Sequence, residues 1–333
     1  GPPAACHAAQ GHMASLSGHA AGGPRAGRAP AAAPVRVGLV QMTSVNDKEA
    51  NFQHNADTVR LAAAQGCKLV CFPECFSFIG ARAGEAQEAA EELSGPTVAR
   101  YKALAAEHRM WLSLGGFQEK GPDGTEGDKI YNTHIVVNAE GALAAVYRKI
   151  HLFDVPMTGL VESRQALPGS ELVACQSPAG CLGLTVCYDV RFPEQYQKLT
   201  FLHGAEVLLV PSAFAMRTGE AHWELLLRCR AIETQCYVLA AAQVGRHNED
   251  GNKRESWGHS LAIDPWGRTL VNMGTTKGLA VVEIDSELVR STRENMPIDR
   301  HRRYDIYGDA PHAATGHGAT RSSRDAEDGM FFG

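Results

Sequence analysis

Short apolar runs recur along the chain, each bounded by polar residues, glycine or proline. Val35 to Gln41 predicts a buried strand, and Asp47, a good N-cap, opens a helix through about Ala64 that Gly66 stops. Lys68 to Phe72 is a second apolar strand, ending at Pro73-Glu74. A helix over about Pro96 to His108 leads into a strand from Met110 to Phe117, broken at Gly115-Gly116. Such strand–helix–strand units imply right-handed crossovers and a sheet covered by helices.

The pattern changes after Lys120. Tyr131 to Asn138 and Ala142 to Arg148 read as a hairpin, and residues 150 to 170 as an irregular loop. Strand 181–187, helix 193–202, strand 206–210, helix 218–235 and strand 237–243 follow. Further strands are predicted near 258–264 and 278–284, and a short helix near 286–295. Parallel units mixed with hairpins suggest two sheets packed face to face with helices outside. Helix 218–235 carries Trp223, Leu226, Leu227, Arg230, Ala231 and Thr234 on one side. An apolar stripe interrupted by a charge reads as a helix on a sheet with snorkelling arginines, or as a subunit interface.

Composition narrows the function classes. The net charge of −5 over 333 residues gives no reason to expect a nucleic-acid partner, and no apolar run approaches membrane-spanning length. The nine cysteines are odd in number and contain no C-x-x-C pair, which suggests reduced intracellular thiols and no zinc site. Residues 1–34 are rich in Ala, Gly, Pro and His, lack any acid, and predict a disordered arm. Arg25 and Arg28 fit an organellar transit segment, while Gly11-His12-Met13-Ala14-Ser15 resembles a cloning junction. The compartment is therefore expected to be the cytoplasm, or a chloroplast or mitochondrion if the arm is a native leader. The globular domain is expected over 35–307, and a flexible tail over 308–333.

Four positions carry chemistry. In Gly183-Leu184-Thr185-Val186-Cys187-Tyr188-Asp189 a β-branched run ends in a thiol, shortly before Pro193-Glu194 opens a helix. A thiol at such a turn lies near free backbone N–H groups, as a nucleophile beside an oxyanion site requires. Glu74 follows an apolar strand in Phe72-Pro73-Glu74, Lys149 ends a hairpin strand in Tyr147-Arg148-Lys149-Ile150-His151-Leu152, and Glu162 sits in Leu160-Val161-Glu162-Ser163. Alone, each acid or lysine reads as a solvated loop charge, and Cys187 as a core thiol.

Taken in order, F-P-E, Y-R-K-x-H-L and C-Y-D-x-R-F-P-E resemble the nitrilase or carbon–nitrogen hydrolase family, from about Val35 to Gly308. The resemblance implies a four-layer αββα sandwich with Glu74 as general base and acid, Lys149 as oxyanion partner and Cys187 as nucleophile. Glu162 resembles the family's second, structural or substrate-positioning glutamate, and Asp189 reads as a local cap. Pro211-Ser212-Ala213-Phe214, Gly219-Glu220-Ala221-His222-Trp223-Glu224 and Gly245-Arg246-His247 resemble the branch that hydrolyses deaminated glutathione to 2-oxoglutarate and cysteinylglycine. An α-keto acid needs a cationic clamp, for which Arg191 is the nearest candidate in sequence, although a structural ion pair would serve it equally. Tyr188, Phe214 and Thr218 complete the candidate substrate contacts. The loop Asp154 to Leu160 is a few residues shorter than in that branch. No cofactor or metal is expected, the partner is a small-molecule substrate, and the family resemblance implies homodimers. The rival readings are an ω-amidase acting on 2-oxoglutaramate, a catalytically idle scaffold, and a redox-sensing thiol protein.

Overall fold

The computed structural model describes residues 33–124, 128–155 and 160–307. All but the last two residues of the expected arm, the whole expected tail and residues 156–159 of the short loop lie outside these.

In chain order the first half contributes β1 (Val35–Met42), α1 (Lys48–Ala64), β2 (Leu69–Phe72), α2 (Glu85–Glu88), α3 (Pro96–His108), β3 (Trp111–Lys120), β4 (Ile130–Val137), β5 (Leu143–Arg148), β6 (Asp154–Val155), β7 (Leu160–Val161) and β8 (Ala166–Leu167). The second half adds β9 (Ala174–Ser177), β10 (Gly180–Leu184), α4 (Pro193–Phe201), β11 (Val207–Leu209), α5 (Met216–Thr234), β12 (Tyr237–Ala240) and β13 (Ala242–Arg246). It ends with β14 (Glu255–Trp257), β15 (Leu261–Ile263), β16 (Thr269–Asn272), β17 (Gly278–Ile284), α6 (Ser286–Asn295), α7 (Ile298–His301) and α8 (Tyr304–Tyr307). One sheet runs β14-β13-β1-β2-β3-β4-β5, with β17 also on β1 and β8 on β4; the other runs β16-β15-β12-β11-β10-β9.

Period-two alternation with both faces apolar makes four layers from these parts. Val37, Leu39, Leu69 and Cys71 point between the sheets, where they meet Leu182, Leu184, Val207 and Leu209. Their neighbours Val40, Val70 and Phe72 point outward against Val59, Ala62, Tyr101 and Leu104 of α1 and α3. On the far side Leu208, Val238 and Ala240 pack on Tyr196, Leu199, Trp223 and Leu227 of α4 and α5. Asp47 caps α1 through the backbone N–H groups of Glu49 and Ala50, and Gly66 follows its end at a positive φ of 76°.

Three predicted strands differ from the observed ones. The 181–187 run leaves the sheet after Leu184: Thr185 still bonds to Leu209 at the end of β11, but the Val186 N–H turns to Asp189 and the Cys187 N–H to Pro211 beyond β11. The 237–243 run is two strands in different sheets: Ala240 pairs with Leu261, whereas Ala242 pairs with Gln41. The 258–264 run contains only Leu261–Ile263 as strand. The 150–170 loop holds the short pair β6–β7 and strand β8. Nor does Arg230 snorkel: it is buried, with Nε donating to the Val190 carbonyl at 2.8 Å and Nη1 paired to Glu233 at 2.7 Å.

Two buried histidines tie distant segments together. His134 on β4 spans the sheets, with Nε2 2.8 Å from Ser113 Oγ and Nδ1 3.0 Å from the Thr185 carbonyl. His247 joins the Ser44 carbonyl to Ser256 Oγ at 3.0 and 2.7 Å. Burial pushes each imidazole down to about 4. The unfolded chain therefore binds more protons than the folded one between pH about 6.5 and 4, so their contribution is intact above 6.5 and is lost as pH falls. Denaturant titrations at pH 7 and pH 5 should show a loss on the order of 2 kcal/mol from each histidine. His134→Asn should lower stability at pH 7 yet reduce that loss; an unchanged difference between the two pH values in the variant would contradict this.

Candidate active site

Glu74 follows β2, and its position depends on the Gly115-Gly116 break in β3. The register against β4 slips between Leu114 and Phe117 there, as in a bulge. A Cβ on Gly115 would lie 2.0 Å from Pro211 Cβ, and one on Gly116 only 2.5 Å from Glu74 Cγ. Gly116 also holds φ at +69°, and its carbonyl accepts the Cys75 N–H at 3.1 Å. With Cβ atoms absent, the rim of the first sheet closes on the Pro211 segment of the second. The Glu74 carboxylate is then gripped from both sides: Ala213 N–H donates to Oε2 at 2.8 Å, and Asn132 Nδ2 to Oε1 at 2.8 Å. Gln243, just past the corner between β12 and β13, holds the Glu74 carbonyl at 3.0 Å.

Lys149, one residue beyond β5, is anchored by its own N–H to the Asn132 carbonyl at 2.9 Å. Lys149 is 2 % exposed, and its ammonium contacts both Glu162 oxygens, at 3.0 and 2.8 Å, with Glu74 Oε1 at 3.7 Å. Burial disfavours the charge, but the carboxylates of Glu162 and Glu74 outweigh it and hold the ammonium protonated well above its ordinary range. Glu162 opens a short 3₁₀ turn and also accepts Phe153 N–H at 2.7 Å, so it is a fixed group.

Cys187 begins a 3₁₀ turn, Cys187–Arg191, at φ +48°, an uncommon conformation for a residue with a Cβ. Its N–H donates to the Pro211 carbonyl at 2.9 Å. Burial, then the neighbouring Glu74 charge, push the thiol well above its usual value, with Lys149 pulling the other way. Asp189 fixes this turn. Fully buried, it accepts Val186 N–H at 2.8 Å and Tyr147 Oη–H at 2.7 Å on one oxygen, and His151 N–H at 3.1 Å on the other. His151 Nδ1 lies 2.7 Å from that second oxygen. The local cap expected at Asp189 is present, but the same carboxylate also ties the turn of Cys187 to the strand end that carries Lys149.

All eight residues singled out in the sequence line one cavity of about 790 Å³: Glu74, Lys149, Glu162, Cys187, Tyr188, Arg191, Phe214 and Thr218. Arg191 makes no ion pair with any described acid; Nη1 is 3.2 Å from His222 Nδ1, and the guanidinium lies over the Tyr188 and Phe214 rings. Thr218 Oγ1 donates to the Ala215 carbonyl at 3.3 Å. Asn132 was not singled out, although its amide reaches Glu162 as well as Glu74, at 3.4 Å. Its sequence gives little signal, since it stands beside two other polar residues, Thr133 and His134, in the same strand. Among the described residues no group of three or more His, Cys, Asp or Glu side chains is placed to hold a metal ion.

Residues 36–294 match the family model described as carbon-nitrogen hydrolase. The chain belongs to the carbon-nitrogen hydrolase family. Within the family it is 47 % identical over 280 residues to the human deaminated glutathione amidase, covering 83 % of this chain and 84 % of that one. The protein of that name from Dictyostelium discoideum is 46 % identical over 281 residues, covering 82 % and 95 %. The crystal structure of the C. elegans NitFhit protein superposes with a TM-score of 0.78 at 42 % identity, covering 84 % of this chain and 67 % of that one. As a carbon-nitrogen hydrolase the chain is an enzyme that cleaves C–N bonds other than peptide bonds.

A methyl group at position 116 should displace Glu74. A misplacement of about 1 Å in a reacting group can cost on the order of 100-fold in rate, so Gly116→Ala should lower amide turnover by about that factor. Circular dichroism on the same sample should show the fold retained, and near-native turnover in folded Gly116→Ala would contradict the packing argument.

Proposed function

We propose that the chain is an amidase that hydrolyses deaminated glutathione to 2-oxoglutarate and cysteinylglycine through a thioester on Cys187. The observation that carries this is a buried ammonium, Lys149, braced by Glu162 beside Glu74, in the cavity that holds a neutral thiol. The activity named for the relatives supplies the substrate.

An amide is a poor electrophile, so attack needs a sulfur freed of its proton, a sink for the oxyanion and an acid for the leaving nitrogen. The thiol is protonated at rest, and the neighbouring Glu74 takes that proton as Sγ attacks the amide carbon. Lys149 and the Tyr188 N–H meet the developing oxyanion. Glu74 then passes the proton to the departing nitrogen of cysteinylglycine as the C–N bond breaks. A water molecule, deprotonated by the same carboxylate, attacks the thioester carbon; 2-oxoglutarate leaves, and the thiol recovers its proton. Glu162 holds Lys149 in place with two of its three N–H groups, and Arg191 is the clamp for the 2-oxo acid carboxylate.

Two further features belong to this reading. Leu225 and Ile232 on α5 are 67 % and 51 % exposed, with Cys229 exposed between them, and this apolar strip suits pairing with a second copy. Cys67, Cys71, Cys75, Cys187, Cys229 and Cys236 are free thiols, as a reducing compartment such as the cytoplasm would keep them.

Purified protein offered deaminated glutathione and 2-oxoglutaramate at matched concentrations should release cysteinylglycine faster than ammonia. Preferential ammonia release would replace this substrate with the ω-amide, and no release from either would leave an idle scaffold. Cys187→Ala should abolish turnover without lowering the melting temperature by more than a few degrees. Lys149→Met should reduce kcat far more than it raises KM; an unaltered kcat would remove Lys149 from the oxyanion site. Light scattering should give twice the chain mass, falling to a single mass in Leu225→Glu/Ile232→Glu.

A further inference from the structure

The cavity wall carries more positive charge than hydrolysis of the amide requires. Besides Lys149 it includes the guanidinium groups of Arg82, Arg164, Arg191 and Arg254. Arg82 is paired with Glu85 at 2.6 Å, and Arg164 lies within the field of Asp154. Arg191 belongs to the turn that follows Cys187. Arg254 stands apart, on the segment leading into β14, and makes no ion pair with any described residue. Its side chain is exposed at the cavity, yet its backbone is fixed: its N–H donates to Asn252 Oδ1 at 3.1 Å, and its carbonyl accepts His247 N–H at 3.2 Å. Asn252 in turn docks on the 80–81 segment, donating from its N–H to Ala81 at 2.7 Å and from Nδ2 to Gly80 at 3.1 Å. The charge is felt on the Glu74 side of the cavity. The Cys75 thiol, pushed up to about 12 by burial and by Glu74, is drawn back by Arg254 as well as by Lys149.

Deaminated glutathione carries two carboxylates, one on each side of the scissile amide: that of the 2-oxo acid and that of the terminal glycine. 2-Oxoglutaramate carries only the first. We propose that Arg254 is the specificity-determining residue that receives the second carboxylate, on the leaving-group side, so that the cavity selects a dianionic amide over a monoanionic one. This rests on the amidase reading above. The fixed backbone roots the side chain at one point of the cavity wall, and a guanidinium donates to a carboxylate in bidentate fashion. Glu255, the next residue, also reaches the cavity, and its charge restricts the place for an anion to the Arg254 side.

The test compares deaminated glutathione with its terminal carboxamide, which differs only in lacking the second charge. In the wild type, kcat/KM should favour the free acid by about tenfold or more, the scale of a charge-assisted hydrogen bond. In Arg254→Met the preference should fall to near unity through a higher KM for the acid, and Arg254→Lys should restore part of it. A purely structural role would depress both substrates together and leave the preference as it was. An Arg254→Met preference equal to that of the wild type overturns the assignment while leaving the amidase reading intact. A wild type that hydrolyses neither compound overturns both.

Discussion

An ammonium sealed from water is tolerated only when opposite charges stand around it in fixed positions, since the lost hydration has to be replaced by direct contact. Lys149 meets that requirement with Glu162 in full contact and Glu74 somewhat farther off. The rest of the site follows from it. Glu162 has to be immobile, and Phe153 N–H and the turn it opens make it so. Glu74 has to keep its distance from Lys149 while facing Cys187, and Ala213 N–H and the Asn132 amide set that distance. One lysine with two acids leaves the cluster with a net negative charge, which opposes a thiolate at rest. In the mechanism proposed above, attack on an amide therefore begins with proton transfer to Glu74 and not from a preformed sulfur anion.

The sandwich is arranged to bring these groups to one rim. Strand ends of the first sheet deliver Glu74 and Lys149, and the segments after β10 and β11 deliver Cys187 and its partner Pro211. Two devices make the rims meet. Gly115 and Gly116 remove the Cβ atoms that would hold the sheets apart. Asp189 then fastens the turn after the second sheet to Tyr147 and His151, which flank Lys149 on the first. A local cap and a cross-sheet tie are thus the same carboxylate, so the positions of sulfur and ammonium vary together.

Beyond the reacting cluster the cavity is a problem in anion recognition. Its acidic floor would repel the carboxylates of the proposed substrate, and the arginines on the wall offset this at chosen points. Arg191 rests on aromatic faces at the end of the turn that Cys187 opens, whereas Arg254 is presented by a loop pinned through Asn252. On the proposed reading, substrate choice is thereby separated from the bond-breaking groups, as it is where loops carry specificity over a rigid scaffold.

The alternation of apolar residues was enough to predict the layers, because a strand buried on both faces and a capped helix each leave a local pattern. Asp47 and the Pro96–His108 helix were readable for that reason, as was the place of the Gly115-Gly116 break. The ordered motifs then pointed to Glu74, Lys149, Glu162 and Cys187, successive residues 75, 13 and 25 positions apart along the chain. What local pattern cannot carry is anything decided by a partner from elsewhere. The run through Cys187 looks like strand to its end, yet Asp189 and Pro211 claim its backbone after Leu184. The run from Tyr237 looks like one strand, yet the two sheets divide it at Ala241. Asn132 and Arg254 have unremarkable sequence neighbours, and Asp189 reads only as a local cap; the cross-sheet tie of Asp189 and the places of Asn132 and Arg254 in the cavity wall exist only once the sheets have closed.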